Sequence, residues 1–310
     1  MLIDALELSL DYLVTIIPFM IAGVILAELL VELGWIEKIG FLVLPMTRYG
    51  HLRKECSVTF LTAFASSAAA NSALKHLYDE KVIDEKELII SSVLNSFPSI
   101  IMHWRTMLPV LVPLLGVTGL IYLGLLTLVG LIKTLIVLIA GHLMLDKKHD
   151  YDEVEKKDTK GLGDAFKASL FKSKKTLRRI LLVMIPTTVF VFILMDMGVF
   201  DAIAEYLKTI SNLLPVPANG LPIIAAQFAS KIATYTIAGN LLSTGVLSSR
   251  DILVTMLVGK ILTSVTSLRI LAPYYIGIFG PRLGMKTMLI STLLRVFVLI
   301  LITAVMIAFF

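Results

Sequence analysis

The chain has 310 residues, of which 57% are hydrophobic and 16% are charged, and its formal net charge is +5. Soluble domains carry about 25% charged residues, so this composition excludes a soluble enzyme, a secreted disulfide scaffold and a nucleic-acid-binding module. Residues 146–179 hold eleven Lys or Arg against seven Asp or Glu, so the positive excess belongs to one segment. An all-α, polytopic membrane protein is therefore predicted.

Apolar runs separated by polar segments predict the elements of the first half. A membrane-spanning helix needs about 20 apolar residues, and residues 8–31 form the first candidate. Residues 34–46 predict an interfacial amphipathic helix, which a basic loop at 48–54 follows. The further apolar segments are 58–77, 88–102, 106–118 and 119–145.

The second half repeats this organisation after the charged segment. Basic residues accumulate in cytoplasmic loops, so both the linker 146–179 and the loop 48–54 are expected to be cytoplasmic. We expect the linker to be a solvated, partly disordered loop. The apolar segments that follow it are 180–195, 221–242, 252–268, 270–279 and 285–310.

The chain matches itself without gaps at an offset of 164 residues. Phe64-Ala65-Ser66 corresponds to Phe228-Ala229-Ser230, and Lys86-Glu87-Leu88 corresponds to Arg250-Asp251-Ile252. The Arg, Pro and Gly at positions 105, 109 and 116 also recur at 269, 273 and 280. Such a long period predicts two related halves, 1–145 and 180–310, joined by the linker 146–179.

The two cytoplasmic loops constrain the orientation of these halves. Four crossings per half would place the two loops on opposite sides of the membrane, whereas five would place both inside. Ten crossings are therefore favoured over eight, with the short segment 106–118 counted as one crossing or as a broken or re-entrant element. An odd number of crossings per half predicts inverted repeats, an architecture of many secondary transporters.

Residues 63–116 resemble the Gate, or nucleoside-recognition, region of the ferrous iron transport protein B. The shared order is the small-residue break Ser66–Ser72, a charged connection, the polar break Asn95–Pro98, Arg105 and Leu108-Pro109-Val110. Similar regions occur in concentrative nucleoside transporters and in spore maturation proteins A and B. The resemblance implies a stand-alone Gate-domain membrane protein, and the absence of a P-loop excludes an iron permease with its own G domain.

Helix breaks within apolar runs are the candidate solute-binding sites. Backbone groups at such a break need protein or water partners, and free helix ends present their dipoles to a solute. Close helix packing through small residues is the competing interpretation. The breaks are Ser66–Ser72, Asn95–Pro98, Ser230–Thr236 and Gly259–Ser264, and their candidate residues are Ser66, Ser67, Asn71, Asn95, Ser96, Ser230, Thr234, Asn240 and Ser264.

Four basic residues near these breaks are further candidates. Lys231 and Lys260 replace Ser67 and Ser96 of the first half, and a charge at membrane depth is costly unless it is paired or hydrated. They would favour an anionic solute or couple to a proton, or else pair with Asp196 or Asp251, or extend to the interface. Arg105 and Arg269 either bind an anionic group or structurally clamp a broken helix.

These observations predict a secondary transporter or permease in the cell membrane, with a small polar solute bound between the two halves. The alternative is a non-transporting scaffold or partner protein of the spore-maturation type. No catalytic constellation stands out, and the histidines lack metal-ligand spacing, so no enzyme activity, metal or cofactor is predicted. The expected partners are membrane lipid and the solute, not nucleic acid, and a homo-oligomer remains open.

Overall fold

A computed structural model describes residues 2–32, 43–146, 162–198 and 214–309. All regular elements of these residues are helical, as the composition predicts. A short 3-10 turn at Ala218–Gly220 precedes the eighth of the described α-helices. These are α1 (Leu2–Glu32), α2 (Val43–Tyr49), α3 (Lys54–Ala65), α4 (Ser67–Asp79), α5 (Glu85–Leu94), α6 (Ser96–Met144), α7 (Leu162–Asp196), α8 (Leu221–Ala229), α9 (Lys231–Ser243), α10 (Ser249–Phe279) and α11 (Pro281–Phe309).

Three helical segments of the described residues are long and apolar enough to cross a membrane. They are Glu85–Met144, Ser249–Arg269 and Pro281–Phe309. Large apolar side chains such as Leu131, Leu135 and Ile139 are exposed on the surface of α6. Contact of these side chains with water would be unfavourable, whereas contact with lipid is not. The chain is therefore a helical membrane protein, while the count of ten or eight crossings stays a prediction.

Helix α6 is a hairpin of two arms, 96–115 and 117–144. Gly116 forms the turn with φ 56° and ψ −131°, a conformation that side chains with a Cβ rarely adopt. The Trp104 indole donates across the arms to the Thr127 hydroxyl at 2.8 Å. A Cβ at Gly119 would lie 2.6 Å from the Leu111 carbonyl oxygen, so glycine permits this close backbone approach.

Helices α10 and α11 form a second hairpin of the same kind. Gly280, 164 residues after Gly116, turns the chain with φ 81°. A Cβ at Gly284 would lie 2.5 Å from the Tyr275 carbonyl oxygen, so glycine again lets the two backbones touch. Each half of the chain thus has a helical hairpin closed by one glycine and packed through another.

The breaks at Ser66 and Ser230 also have the same local structure. Both residues are extended between two helices, with φ/ψ of −157°/113° and −153°/132°. Each hydroxyl accepts the backbone N–H three residues later, from Ala69 and Ala233, which is N-terminal helix capping. The sequence match at an offset of 164 thus has a structural counterpart at the breaks as well as at the hairpin turns.

Two predicted features of the helices are wrong. The expected break at Gly259–Ser264 is absent, because α10 is continuous from Ser249 to Phe279. The hydroxyls of Thr263 and Ser264 donate to carbonyls of their own helix at Gly259 and Lys260, so they do not interrupt it. Residues 106–115 continue the first arm of α6 and do not form a separate element.

Other expectations are changed in part. The Asn95–Pro98 break is reduced to Asn95, whose φ/ψ of −59°/−13° is almost helical. Residues 162–179, expected in a disordered linker, belong to α7. Residues 147–161 of that linker and residues 34–42 of the expected interfacial helix lie outside the described residues.

Polar contacts join the two halves at three levels. The Lys286 ammonium pairs with the Glu85 carboxylate, which joins the starts of α11 and α5. The hydroxyls of Thr118 and Ser249 are hydrogen-bonded, which joins the turn of α6 to the start of α10. The buried Lys133 ammonium donates to the hydroxyls of Ser96 in the first half and Ser291 in the second. These contacts hold the two hairpins side by side.

Candidate functional site

A cavity of about 380 Å³ lies beside the helix break at Ser230. This volume is at the lower end of the range of small-molecule sites. One lining residue, Tyr122, comes from the second arm of α6, and the others come from α8, the break, α9 and α10. They are Gln227, Phe228, Ser230, Lys231, Thr234, Tyr235, Lys260, Thr263, Thr266, Ser267 and Arg269.

The break places the start of α9 at the cavity. The Ser230 backbone N–H ends α8 by donating to Ala226, while the Ser230 carbonyl accepts both the N–H and the hydroxyl of Thr234. The first N–H groups of a helix have no intrahelical acceptor and carry a partial positive charge. The cavity therefore faces a helix end that attracts negative charge.

Three cationic side chains line the cavity: Lys231, Lys260 and Arg269. No carboxylate in the described part of the chain forms an ion pair with any of them. Lys260 is also within electrostatic range of Lys231 and of Arg295 on α11. The charged side chains that line the cavity are therefore all basic, and Arg295 on α11 acts electrostatically on one of them.

Lys260 lies near the middle of a membrane-spanning segment. At 1.5 Å per residue it is about 16 Å from Ser249 and about 14 Å from Arg269 along α10. The hydrocarbon core of a bilayer is about 30 Å thick, so a lysine about 16 Å from the start of α10 lies inside that core and not at its edge. A cation at that depth requires water or an anion in contact with it.

Gln227 is held in the wall by α10. Its side-chain amide donates to the Met256 carbonyl at 3.0 Å. A Cβ at Gly259 would lie 2.8 Å from this amide, so glycine leaves the space in which Gln227 crosses the helix. Gly259 therefore helps to shape the cavity even though it does not break α10.

The matching break in the first half is joined to its neighbours by hydrogen bonds. The Ser67 hydroxyl is bonded to that of Ser99, and the Asn71 amide donates to the Tyr274 hydroxyl at 3.0 Å. Where the second half has the cation Lys231, the first half has a neutral residue that is already hydrogen-bonded. The two breaks share a backbone conformation but differ in electrostatics.

The polar residues around Asn95 form a separate group. The buried Asn95 amide donates to the Thr59 hydroxyl at 3.4 Å. Lys133, only 4% exposed, donates to the hydroxyls of Ser96 and Ser291 at 2.8 and 2.9 Å. This group connects helices of both halves.

The predicted site residues divide between these places. Ser230, Lys231, Thr234, Lys260 and Arg269 line the cavity together. The other predicted residues are not part of its lining. They are Ser66, Ser67, Asn71, Asn95, Ser96, Arg105, Asn240 and Ser264, of which Asn240 lies in the last turn of α9 and half-buried Arg105 lies on the first arm of α6.

Lys133 and Arg295 are two basic residues that the sequence analysis missed. Each lies within a long apolar run, which is the same signal that identifies Lys231 and Lys260. Arg295 is within electrostatic range of both Lys133 and Lys260. Among the described residues, no cluster of His, Cys, Asp or Glu is suited to hold a metal ion.

Comparison with known proteins gives a family and several relatives. Residues 13–118 match the family model Gate, described as nucleoside recognition. The chain is 34% identical to the uncharacterized protein MJ1556 of Methanocaldococcus jannaschii over 96% of its own length and 95% of the relative's. It is 28% identical to the uncharacterized protein MJ0880 of the same organism, over 97% and 99% of the two lengths. No solved structure matches the chain.

Proposed function

Because the chain belongs to the Gate, or nucleoside recognition, family of membrane proteins, we propose that it is a secondary transporter or permease for a small polar solute. The observation that carries the proposal is the cavity at the Ser230 break, which Lys260 lines from inside a membrane-spanning segment. In this proposal the solute binds there and crosses the membrane unchanged, so the protein is not an enzyme.

The position of the break supports a transport site. A packed interior rarely leaves unpaired lysine side chains around an open volume, because an uncompensated charge in low dielectric is unfavourable. Irregular backbone at membrane depth is tolerated where it lines a water-filled cavity. The irregular backbone at Ser230 borders a cavity, with half-buried Lys260 and exposed Lys231 in its wall.

Two contacts between the halves support an inverted arrangement. The offset of 164 residues relates Glu85 to Ser249, and relates Thr118 to a position one turn before Lys286. The contacts Glu85–Lys286 and Thr118–Ser249 are therefore approximately exchanged by the repeat, as a two-fold axis requires. Since the second hairpin starts beside the turn of the first, the two run in opposite directions. This is the relation on which alternating access is built in many transporters.

The scaffold alternative predicts that every break is packed and every intramembrane lysine is paired. At the first-half break, the Ser67–Ser99 and Asn71–Tyr274 hydrogen bonds pair the side chains that make them, although Ser66 itself is exposed. The second-half break does not fit the scaffold prediction, because it borders the cavity. We therefore favour transport, with the cavity beside Ser230 as the binding site.

The proposal extends to the surroundings of the protein. We place it in the cell membrane with residues 146–179 on the cytoplasmic side, because that segment carries eleven Lys or Arg. Its partners are membrane lipid and the solute, and a homo-oligomer is compatible with this arrangement.

Uptake into liposomes tests the proposal. The purified protein would be reconstituted and offered radiolabelled nucleosides, amino acids, organic anions and inorganic ions. Ser267→Trp should abolish any uptake, because Ser267 lines the cavity and an indole would fill part of it. The matched control is Ser243→Trp, at an exposed serine of α9 that is outside the lining. No uptake of any solute, or equal uptake by both variants, would favour the scaffold.

A further inference from the structure

We propose that the cavity beside Ser230 selects anions and holds the carboxylate or phosphate oxygens of its ligand against Lys231, Lys260 and Arg269. The inference rests on the proposed transport function, and it names the chemical class of the solute. It follows from the charges around the cavity, from the donors that face it and from its depth in the membrane.

The charges around the cavity are all of one sign. Its lining includes two lysines and one arginine and no Asp or Glu. Arg295 lies within electrostatic range of Lys260 and so adds to the positive potential from α11. The Arg295 Nε is buried and has no hydrogen-bond partner among the described residues. A neutral or cationic solute would leave this charge uncompensated, whereas an oxyanion neutralises it.

The donors at the cavity suit oxygen ligands. Lysine ammonium groups and the arginine guanidinium donate strong, charge-assisted hydrogen bonds to carboxylate and phosphate. The start of α9 adds backbone N–H groups and the positive end of a 13-residue helix. The Thr266 and Ser267 hydroxyl groups also line the cavity, but they donate to the Thr263 carbonyl of their own helix. The lysine, arginine and helix N–H donors together form an oxyanion site rather than a cation or metal site.

Comparison with the first half identifies the residues that would make the site prefer anions. Positions 67 and 96 of the first half are serines, whereas the corresponding positions 231 and 260 are lysines. The Ser67 hydroxyl is already bonded to Ser99. The same backbone break is therefore followed once by Ser67 and once by Lys231, and the cavity that Lys260 also lines adjoins the second break.

The potential of the cavity can be measured without knowledge of the solute. Ser267→Cys places a thiol in the lining, and Ser243→Cys is the exposed control on α9. The native Cys56 is 1% exposed and serves as a silent background. Each variant would be treated with sulfonatoethyl and trimethylammonioethyl methanethiosulfonate, which carry opposite charges on similar frames.

The measured quantity is the rate of reaction with the anionic reagent divided by the rate with the cationic reagent. We expect this ratio to be about tenfold or more higher at Ser267→Cys than at Ser243→Cys, because the cations that line the cavity attract the anionic reagent. Adding Lys231→Gln or Lys260→Gln should lower that ratio several-fold. Lys231→Arg and Lys260→Arg should preserve it, since the charge remains. Lys286→Gln, an exposed lysine at the Glu85 contact, is the matched control and should leave it unchanged. Equal ratios at both cysteines would overturn the inference.

Ligand binding tests the same inference from the solute's side. The protein in phosphatidylcholine nanodiscs would be titrated with inorganic phosphate, succinate, adenosine monophosphate and uncharged adenosine at constant ionic strength. At least one oxyanion should protect Ser267→Cys from modification, and Lys260→Gln should weaken its binding about tenfold or more. Protection by adenosine but by no anion would overturn the inference.

A second arm separates a free anion from a lipid headgroup. Nanodiscs that contain phosphatidylglycerol should protect Ser267→Cys without added solute if the oxyanion comes from lipid, and should not if it is a free solute. Uptake distinguishes the two levels of proposal. Transport of adenosine that is insensitive to Lys231→Gln and Lys260→Gln would refute the anion site while leaving the transporter, whereas no uptake of any solute would refute the transporter itself.

Discussion

The close packing of α10 on α11 predicts that alanine substitution has different effects on stability at Gly284 and at Gly124. At Gly284 a Cβ would lie 2.5 Å from the Tyr275 carbonyl oxygen and 2.7 Å from the carbonyl carbon. Both atoms belong to the backbone of α10, so they cannot rotate away. Gly284→Ala therefore forces α10 and α11 apart by about 1 Å to reach ordinary contact distance. At Gly124 nothing lies within 4 Å, so Gly124→Ala adds a methyl group without contact.

The difference between the two variants isolates the steric cost. Both glycines are inside helices, where alanine is more favourable by about 1 kcal/mol. Overpacking costs about 1–3 kcal/mol, so Gly284→Ala should lower the free energy of unfolding by about 0–2 kcal/mol after that gain. Gly124→Ala should raise it by about 1 kcal/mol. The two variants should thus differ by about 1–3 kcal/mol.

Cys56 provides the assay. It lies at the start of α3, before the predicted span 58–77, and it is 1% exposed. Burial and the neighbouring Glu87 carboxylate raise the pKa of its thiol to about 12. A thiol-reactive dye therefore reports unfolding through this single cysteine as the temperature is raised in detergent. A higher melting temperature for Gly284→Ala than for Gly124→Ala would refute the close packing of α10 on α11.

Three further results are expected. Native Cys56 should react at least about a hundredfold more slowly at pH 8 than an unfolded thiol, because the raised pKa removes thiolate, and stopped-flow labelling in detergent and in denaturant compares the two. Ser66→Ala and Ser230→Ala should each lower the free energy of unfolding by about 1 kcal/mol through loss of a helix cap, measured with the same dye; no change in either would contradict the capping. Lys286→Gln should change it by no more than about 1 kcal/mol, since the Glu85 contact is exposed, and a larger loss would indicate a structural pair.

Local features of the fold could be predicted from the sequence. The small-residue segments correctly located the breaks near Ser66 and Ser230, because extended backbone with a hydroxyl cap has a strong serine preference. The offset of 164 residues also related Gly116 to Gly280, which proved to be the two hairpin turns. These features depend on residues close together in the chain, so the sequence contains the information needed to find them.

Other features could not be predicted in this way. The Ser and Thr residues around 259–264 suggested a break, yet their hydroxyls bond within α10 and leave it continuous. That choice depends on the neighbours of the helix, since the same side chains occur at breaks elsewhere. Likewise, nothing in the sequence indicates that Lys133 meets Ser291, 158 residues away.

Composition by itself determined that this chain is a helical membrane protein, because apolar side chains that face lipid raise the hydrophobic content along the whole sequence. Only the tertiary structure decided that Lys231, Lys260 and Arg269 line one cavity beside Ser230. The backbone is the same at Ser66 and Ser230, but the partners of each break come from distant helices. Whether a polar group is bonded or left facing an open volume depends on that packing.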